Sequence, residues 1–142
     1  KKINQIKNFE NFKFFDENIF LYLENDDFCK RLIDHNEEIY VVPKSKINHL
    51  GGKAVSQKFS EEVELSRNWH WIWSKFYFNR KHKGYFFALI NGLPTFISAV
   101  LKYVLYLAIF NPKKSKIYLH RAMGYLNAVI GRKSFFRPNI KI

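Results

Sequence analysis

The chain has 142 residues, of which 47% are hydrophobic and 18% aromatic, enough for one domain with a core. A single cysteine, Cys29, excludes an internal disulfide framework and a cysteine metal cluster. The net charge of +12 is unevenly placed: all 12 acidic residues lie at or before Glu64, whereas of the 24 Lys and Arg ten precede Leu65 and 14 follow from there. A purely basic, aromatic-rich half calls for a polyanion partner, whether anionic lipid, nucleotide phosphate or nucleic acid.

In chain order, Lys1 to Phe14 spaces Ile3, Ile6, Phe9 and Phe12 as a short helix, with no apolar run long enough for a signal peptide. The absence of an initial Met is consistent with a fragment. The apolar run Ile19–Leu23 then delivers the chain into Glu24, Asn25, Asp26 and Asp27. A helical pattern follows, with Phe28 and Leu32 one turn apart and Cys29 and Ile33 beside them. A carboxylate cluster at such a junction can face a cleft. It also has a purely structural reading. Asn25 suits an N-cap, Asp26 and Asp27 suit the positive end of the helix dipole, and Asp26–Lys30 and Asp27–Arg31 have pairing distance along the helix.

Ile39-Tyr40-Val41-Val42, stopped by Pro43, predicts a strand, and Ile47–Leu50 a second short extended piece ending at Gly51-Gly52. Lys53–Phe59 reads as a loop. Ser60 is expected to cap a long helix with Glu61 and Glu62 in its first turn. Arg80, Lys81, His82 and Lys83 would close it and Gly84 stop it. Its apolar stripe is Leu65, Trp69, Ile72, Trp73 and Phe76, with Trp71, Tyr77 and Phe78 on a second face. His70 and Lys75 read as surface residues, and Trp69, Trp71 and Trp73 as core.

Tyr85–Phe110 is the most hydrophobic stretch, with Lys102 its only charge. Asn91-Gly92-Leu93-Pro94 is expected to break it into pieces too short to cross a bilayer comfortably. Asn111-Pro112 ends it. A further helix is expected from Ser115 to about Ile130, stopped by Gly131, and Arg132–Ile142 forms a basic tail.

The run Phe15-Asp16-Glu17-Asn18-Ile19-Phe20-Leu21-Tyr22-Leu23-Glu24-Asn25-Asp26-Asp27-Phe28-Cys29-Lys30-Arg31 resembles the carboxy-terminal part of a family 2 glycosyltransferase. In that family a segment of the form F-D-E-x-F-F-L-Y-x-E-D-x-D-L-C-x-R carries the acceptor-activating acids. Ile47-Asn48-His49-Leu50-Gly51-Gly52 is similar to the family's later His-x-Gly-Gly segment, and Arg67-Asn68 and Gly131–Pro138 resemble bacterial members. Asn25 departs from the pattern, standing where many members have the second acid.

The resemblance implies an α/β fold: a partial GT-A-like, acceptor-side portion with short strands over residues 1–59, then three long helices over 60–142. That helical region is basic and aromatic-rich and is expected to associate with a membrane. The implied activity is hexosyl transfer, of the inverting kind, from a nucleotide-sugar donor to a cell-surface glycan or lipid-linked acceptor. Glu24 is then the first choice for the base and Asp27 the second. His49 would contact a divalent metal, Mg or Mn, and Arg67, Asn68, Gly51 and Gly52 the donor diphosphate. The family's nucleotide-binding half, with its Asp-x-Asp, is missing from the chain, so the chain alone is expected to be inactive. The implied place is cytoplasmic, peripheral at the inner face of the cell membrane. The alternative is a non-catalytic module binding an anionic membrane surface. Nucleic acid is not expected, because the aromatics lie in apolar stripes and not between Lys and Arg.

Overall fold

A computed structural model describes residues 14–48 and 57–138. Four helices follow one another: α1 (Glu24–Asp34), α2 (Ser60–Lys83), α3 (Tyr85–Ala108) and α4 (Pro112–Val129), with a 3₁₀ turn over Gln57–Phe59 leading into α2. The expected α/β architecture is overturned. Among the described residues there is no strand and no sheet. Ile39–Val42 lies in an irregular segment with Val41 87% exposed. A β-branched run becomes a strand only when another strand takes its backbone donors and acceptors, and none is at hand among the described residues. Of the second extended piece, Ile47 and Asn48 are irregular and the rest lies outside the described residues.

α2, α3 and α4 form an up-down-up bundle in which α2 and α4 run in the same direction, Glu61 lying by Lys116, Asn68 by Arg121 and Phe76 by Tyr125. Gly84 joins α2 to α3 with φ +91°, a conformation costly for any residue with a Cβ, and its N–H closes α2 on the Arg80 carbonyl. α3 runs against α4 in the opposite direction, from the Tyr85–Val129 hydrogen bond at one end to the stacked Tyr106 and Tyr118 rings at the other. The core is Trp69, Ile72, Trp73 and Phe76 from α2, Ala88 from α3, and Tyr125 and Ala128 from α4. Gly124 makes the α2–α4 approach possible, since a Cβ there would stand 2.4 Å from the Trp69 carbonyl oxygen.

Three boundaries differ from expectation. α4 begins at Pro112 and not at Ser115, because Asn111 accepts a hydrogen bond from the Lys114 N–H and proline at the first turn loses no bond. α2 begins at Ser60, but its N-cap position is Phe59 and no side chain caps it. α3 runs unbroken through Pro94. Around that residue Gly92 packs on the Tyr125 ring and Tyr125 donates to the Leu89 carbonyl, so packing on α4 outweighs the one backbone bond that proline removes.

Candidate functional site

The motif segment lies along one side of α2 and is fixed to it residue by residue. Asp16 accepts from the Asn18 N–H (3.0 Å) and side-chain amide (2.8 Å), which folds the chain into a tight turn. Phe20 packs on the His70 ring, the Leu21 carbonyl accepts from Ser74 Oγ at 2.7 Å, and Tyr22 meets Trp71 edge-on. Tyr22 and Leu23 both have positive φ, 68° and 67°, which turns the chain sharply into α1. Two consecutive left-handed non-glycine residues are strained and persist only where their surroundings hold them.

α1 therefore starts at Glu24, with Leu23 at the cap position and no side-chain cap, so Asn25 is not the cap the sequence suggested. Asp27 is fully buried. Arg31 Nε donates to its Oδ2 at 2.9 Å, while Lys81 Nζ (2.7 Å) and His82 Nε2 (2.8 Å) meet its Oδ1. Lys81 also donates to Asp16 Oδ2 at 2.7 Å, and the Tyr77 hydroxyl donates to the same oxygen at 3.0 Å. One lysine of α2 thus bridges the two carboxylates of the motif. Burial alone would push the Asp27 carboxyl up, but bonds from Lys81, His82 and Arg31 outweigh it and hold it below its ordinary value. Asp16 is likewise held at about 2, against burial, by Lys81, Asn18 and Tyr77. Burial first, and Asp16 second, push the Tyr77 phenol up to about 12. Lys30 pairs with Asp34, not with Asp26.

Glu24 has a different situation. Its Oε2 is shielded from solvent. Asp27, one turn further on, is neutralised on both oxygens. Within the cluster, Asp27 is committed to structure, whereas Glu24 has a shielded oxygen with no hydrogen-bond partner among the described residues and lines neither of the two clefts beside the segment.

Two clefts flank the segment. The larger, about 1070 Å³, lies between the motif and the basic tail and includes Asp16, Asn18, Arg31, Lys81, Lys133 and Arg137. His70 fixes that tail: in its neutral form Nε2–H donates to the Phe136 carbonyl at 2.7 Å and Nδ1 accepts from Ser134 Oγ at 3.1 Å. Burial, and then nearby Arg137, hold the His70 pKa down, against the bond to Phe136 that would raise it. His70 is thus an interior tie and not the surface residue expected.

The second cleft, about 540 Å³, is lined by Tyr22, Glu64, Arg67, Asn68, Trp71 and Arg121. Trp69 and Trp73 are core, but Trp71 is 44% exposed and presents its ring here. Asn68 is tied at both ends of its amide, donating to the Glu64 carbonyl (2.8 Å) and accepting from Arg121 Nε (2.7 Å). Arg67 is exposed on the same helical turn. The structure therefore brings Arg67 and Asn68 to a cleft that the motif's Tyr22 also lines. The sequence reading missed Arg121, Lys81 and His82. His49, Gly51 and Gly52 lie outside the described residues.

Among the described residues no group of three or more His, Cys, Asp or Glu could hold a metal ion. The two carboxylates that approach each other, Asp16 and Asp27, are occupied by Lys81, Arg31 and His82. These residues do not by themselves fit a divalent metal. No protein-family model matches the chain, and neither does any curated protein or solved structure.

Proposed function

We propose that the chain is the acceptor-side portion of a family 2 glycosyltransferase that passes a sugar from a nucleotide-sugar donor to a glycan or lipid-linked hydroxyl with inversion. The observation that carries the reading is the division of labour in the acidic cluster: Asp27 is saturated by Arg31, Lys81 and His82, and Glu24 has an oxygen with no partner among the described residues. The ordered likeness of residues 15–31 to the family's acid segment supports it, as does the cleft beside Tyr22.

In such a transfer the acceptor oxygen attacks the anomeric carbon, the carbon–oxygen bond to the nucleoside diphosphate breaks, and the acceptor proton goes to a base. Glu24 takes that proton. Asp27 and Asp16, clamped on Lys81, hold the start of α1 in place against the strain at Tyr22 and Leu23. Trp71 and Tyr22 offer apolar ring surface to a sugar face, and Arg67 and Arg121 offer positive charge to phosphate oxygens.

The test is sugar transfer by the full-length polypeptide that contains this chain, over a panel of nucleotide-sugar donors. Glu24→Gln is expected to lower kcat by about 10²-fold or more, the scale of a lost general base, with donor affinity nearly unchanged. Unchanged turnover removes Glu24 from the mechanism. A folded protein that transfers from no donor removes the reading.

A further inference from the structure

α3 is the most apolar element of the chain and the least covered. Phe86, Ile90, Leu93, Ile97, Leu101 and Val104 recur at steps of three and four, which places them on one stripe of the helix, and each is between 44% and 77% exposed. The stripe runs about 27 Å at ~1.5 Å per residue. The opposite face, Ala88, Gly92 and Ala99, is the one that packs on the bundle. Lys102, the only charge in α3, is exposed beside Leu101 at the edge of the stripe, with its ammonium 5.4 Å from the centre of the Tyr118 ring. The six residues of the stripe itself carry no charge. Cations stand near both of its ends instead: Arg80 and Lys83 before it, and Lys114 after it, with Lys113 and Lys116 alongside at 3.9 Å and 3.5 Å from Glu64 and Glu61 of α2.

We propose that this face of α3 docks on an anionic lipid bilayer with the helix axis in the membrane plane. An uncharged apolar stripe with cations near both ends matches a surface that is apolar below and anionic at headgroup level. Two other occupants fit worse. A second copy closing on the same stripe would set basic end against basic end, and no acidic residue exists from Leu65 onward to answer them. A full span is long enough, since the helix has 24 residues. It would, however, carry α4 and α2 with it, and with them the exposed Arg67, Lys75 and Lys116, into hydrocarbon. The proposal is independent of the glycosyltransferase reading, because neither Glu24 nor the cleft enters it.

Flotation of the chain with vesicles of phosphatidylcholine, alone or mixed with phosphatidylglycerol, tests it. The chain is expected to float with the anionic vesicles only, and to be released by high salt and by alkaline carbonate. Oriented circular dichroism should show α3 lying parallel to the surface. The double variant Ile90→Glu, Ile97→Glu changes only exposed side chains and should keep the wild-type helical spectrum while losing about tenfold or more in vesicle affinity. Binding that survives both salt and carbonate would mean a span and overturn the proposal. So would a dimer in solution that the double variant dissolves, or the absence of binding to any vesicle.

Discussion

Of the side chains in α1 only Asp27 is buried, whereas α2 alone buries Leu65, Trp69, Ile72, Trp73 and Phe76. The motif segment buries Ile19 and sets Phe20 and Tyr22 on rings of α2, but its helix α1 is attached chiefly by charge and hydrogen bonds: Asp16 and Asp27 on Lys81, Asp27 on His82, and the Leu21 carbonyl on Ser74. The bundle is held by apolar burial of aromatic rings around Tyr125. The two regions should therefore respond to different insults. Apolar burial is indifferent to protonation, and an ion-pair clamp is not. The difference also explains how a strained turn can persist beside the candidate base. A directional set of bonds can hold Tyr22 and Leu23 in place, which non-directional burial would do poorly.

The largest effect that would sharpen this comparison is Asp27→Ala. It leaves Lys81, His82 and Arg31 around an empty position, at a cost of about 3–5 kcal/mol for breaking a buried pair. The loss should fall on α1, seen as local protease sensitivity near residues 24–34, while urea unfolding of the bundle moves little. Equal loss in both regions would mean that they form one cooperative unit. Gly124→Ala should do the reverse. Its methyl group meets the Trp69 carbonyl, and the overpacking costs about 1–3 kcal/mol of bundle stability. Chemical denaturation followed by tryptophan fluorescence would register it through Trp69 and Trp73.

Much of the helical bundle was legible and little of the site was. The period of Leu65, Trp69, Ile72, Trp73 and Phe76, and the stop at Gly84, show where α2 buries and where it ends. The polar stripe of α2 was also present in the sequence: His70, Ser74, Tyr77 and Lys81 recur at steps of four, three and four. All four bind the motif segment or the tail. Lys81 and His82 instead read as ordinary cations at a helix end, where the dipole already accounts for them. The unmade strand at Ile39–Val42 has a simpler cause. β propensity describes fit to a pleated surface, and a single run cannot report whether a partner exists. Trp71 reads as core from its residue type, on a second apolar face of α2. Its position between Trp69 and Trp73 in the count along α2 turns it toward the cleft instead. Pro94 reads as a break only if local rules decide, and at that turn packing on Tyr125 decides.

The clamp itself can be tested by acidifying the intact chain and following amide hydrogen exchange, corrected for intrinsic rate. Both aspartates titrate below their ordinary value of 3.8 in the folded state, Asp16 at about 2. The contribution of Asp16, on the order of 2 kcal/mol, is therefore complete above pH 3.8 and is lost as the pH falls through about 2, and that of Asp27 is lost as the pH falls below 3.8. Protection of the amides in Glu24–Asp34 is expected to collapse over that window while the core amides of α2 and α4 around Trp73 and Tyr125 stay protected. If α1 keeps its protection at pH 2, or if all four helices open together, the motif segment is not held by charge and the account is wrong.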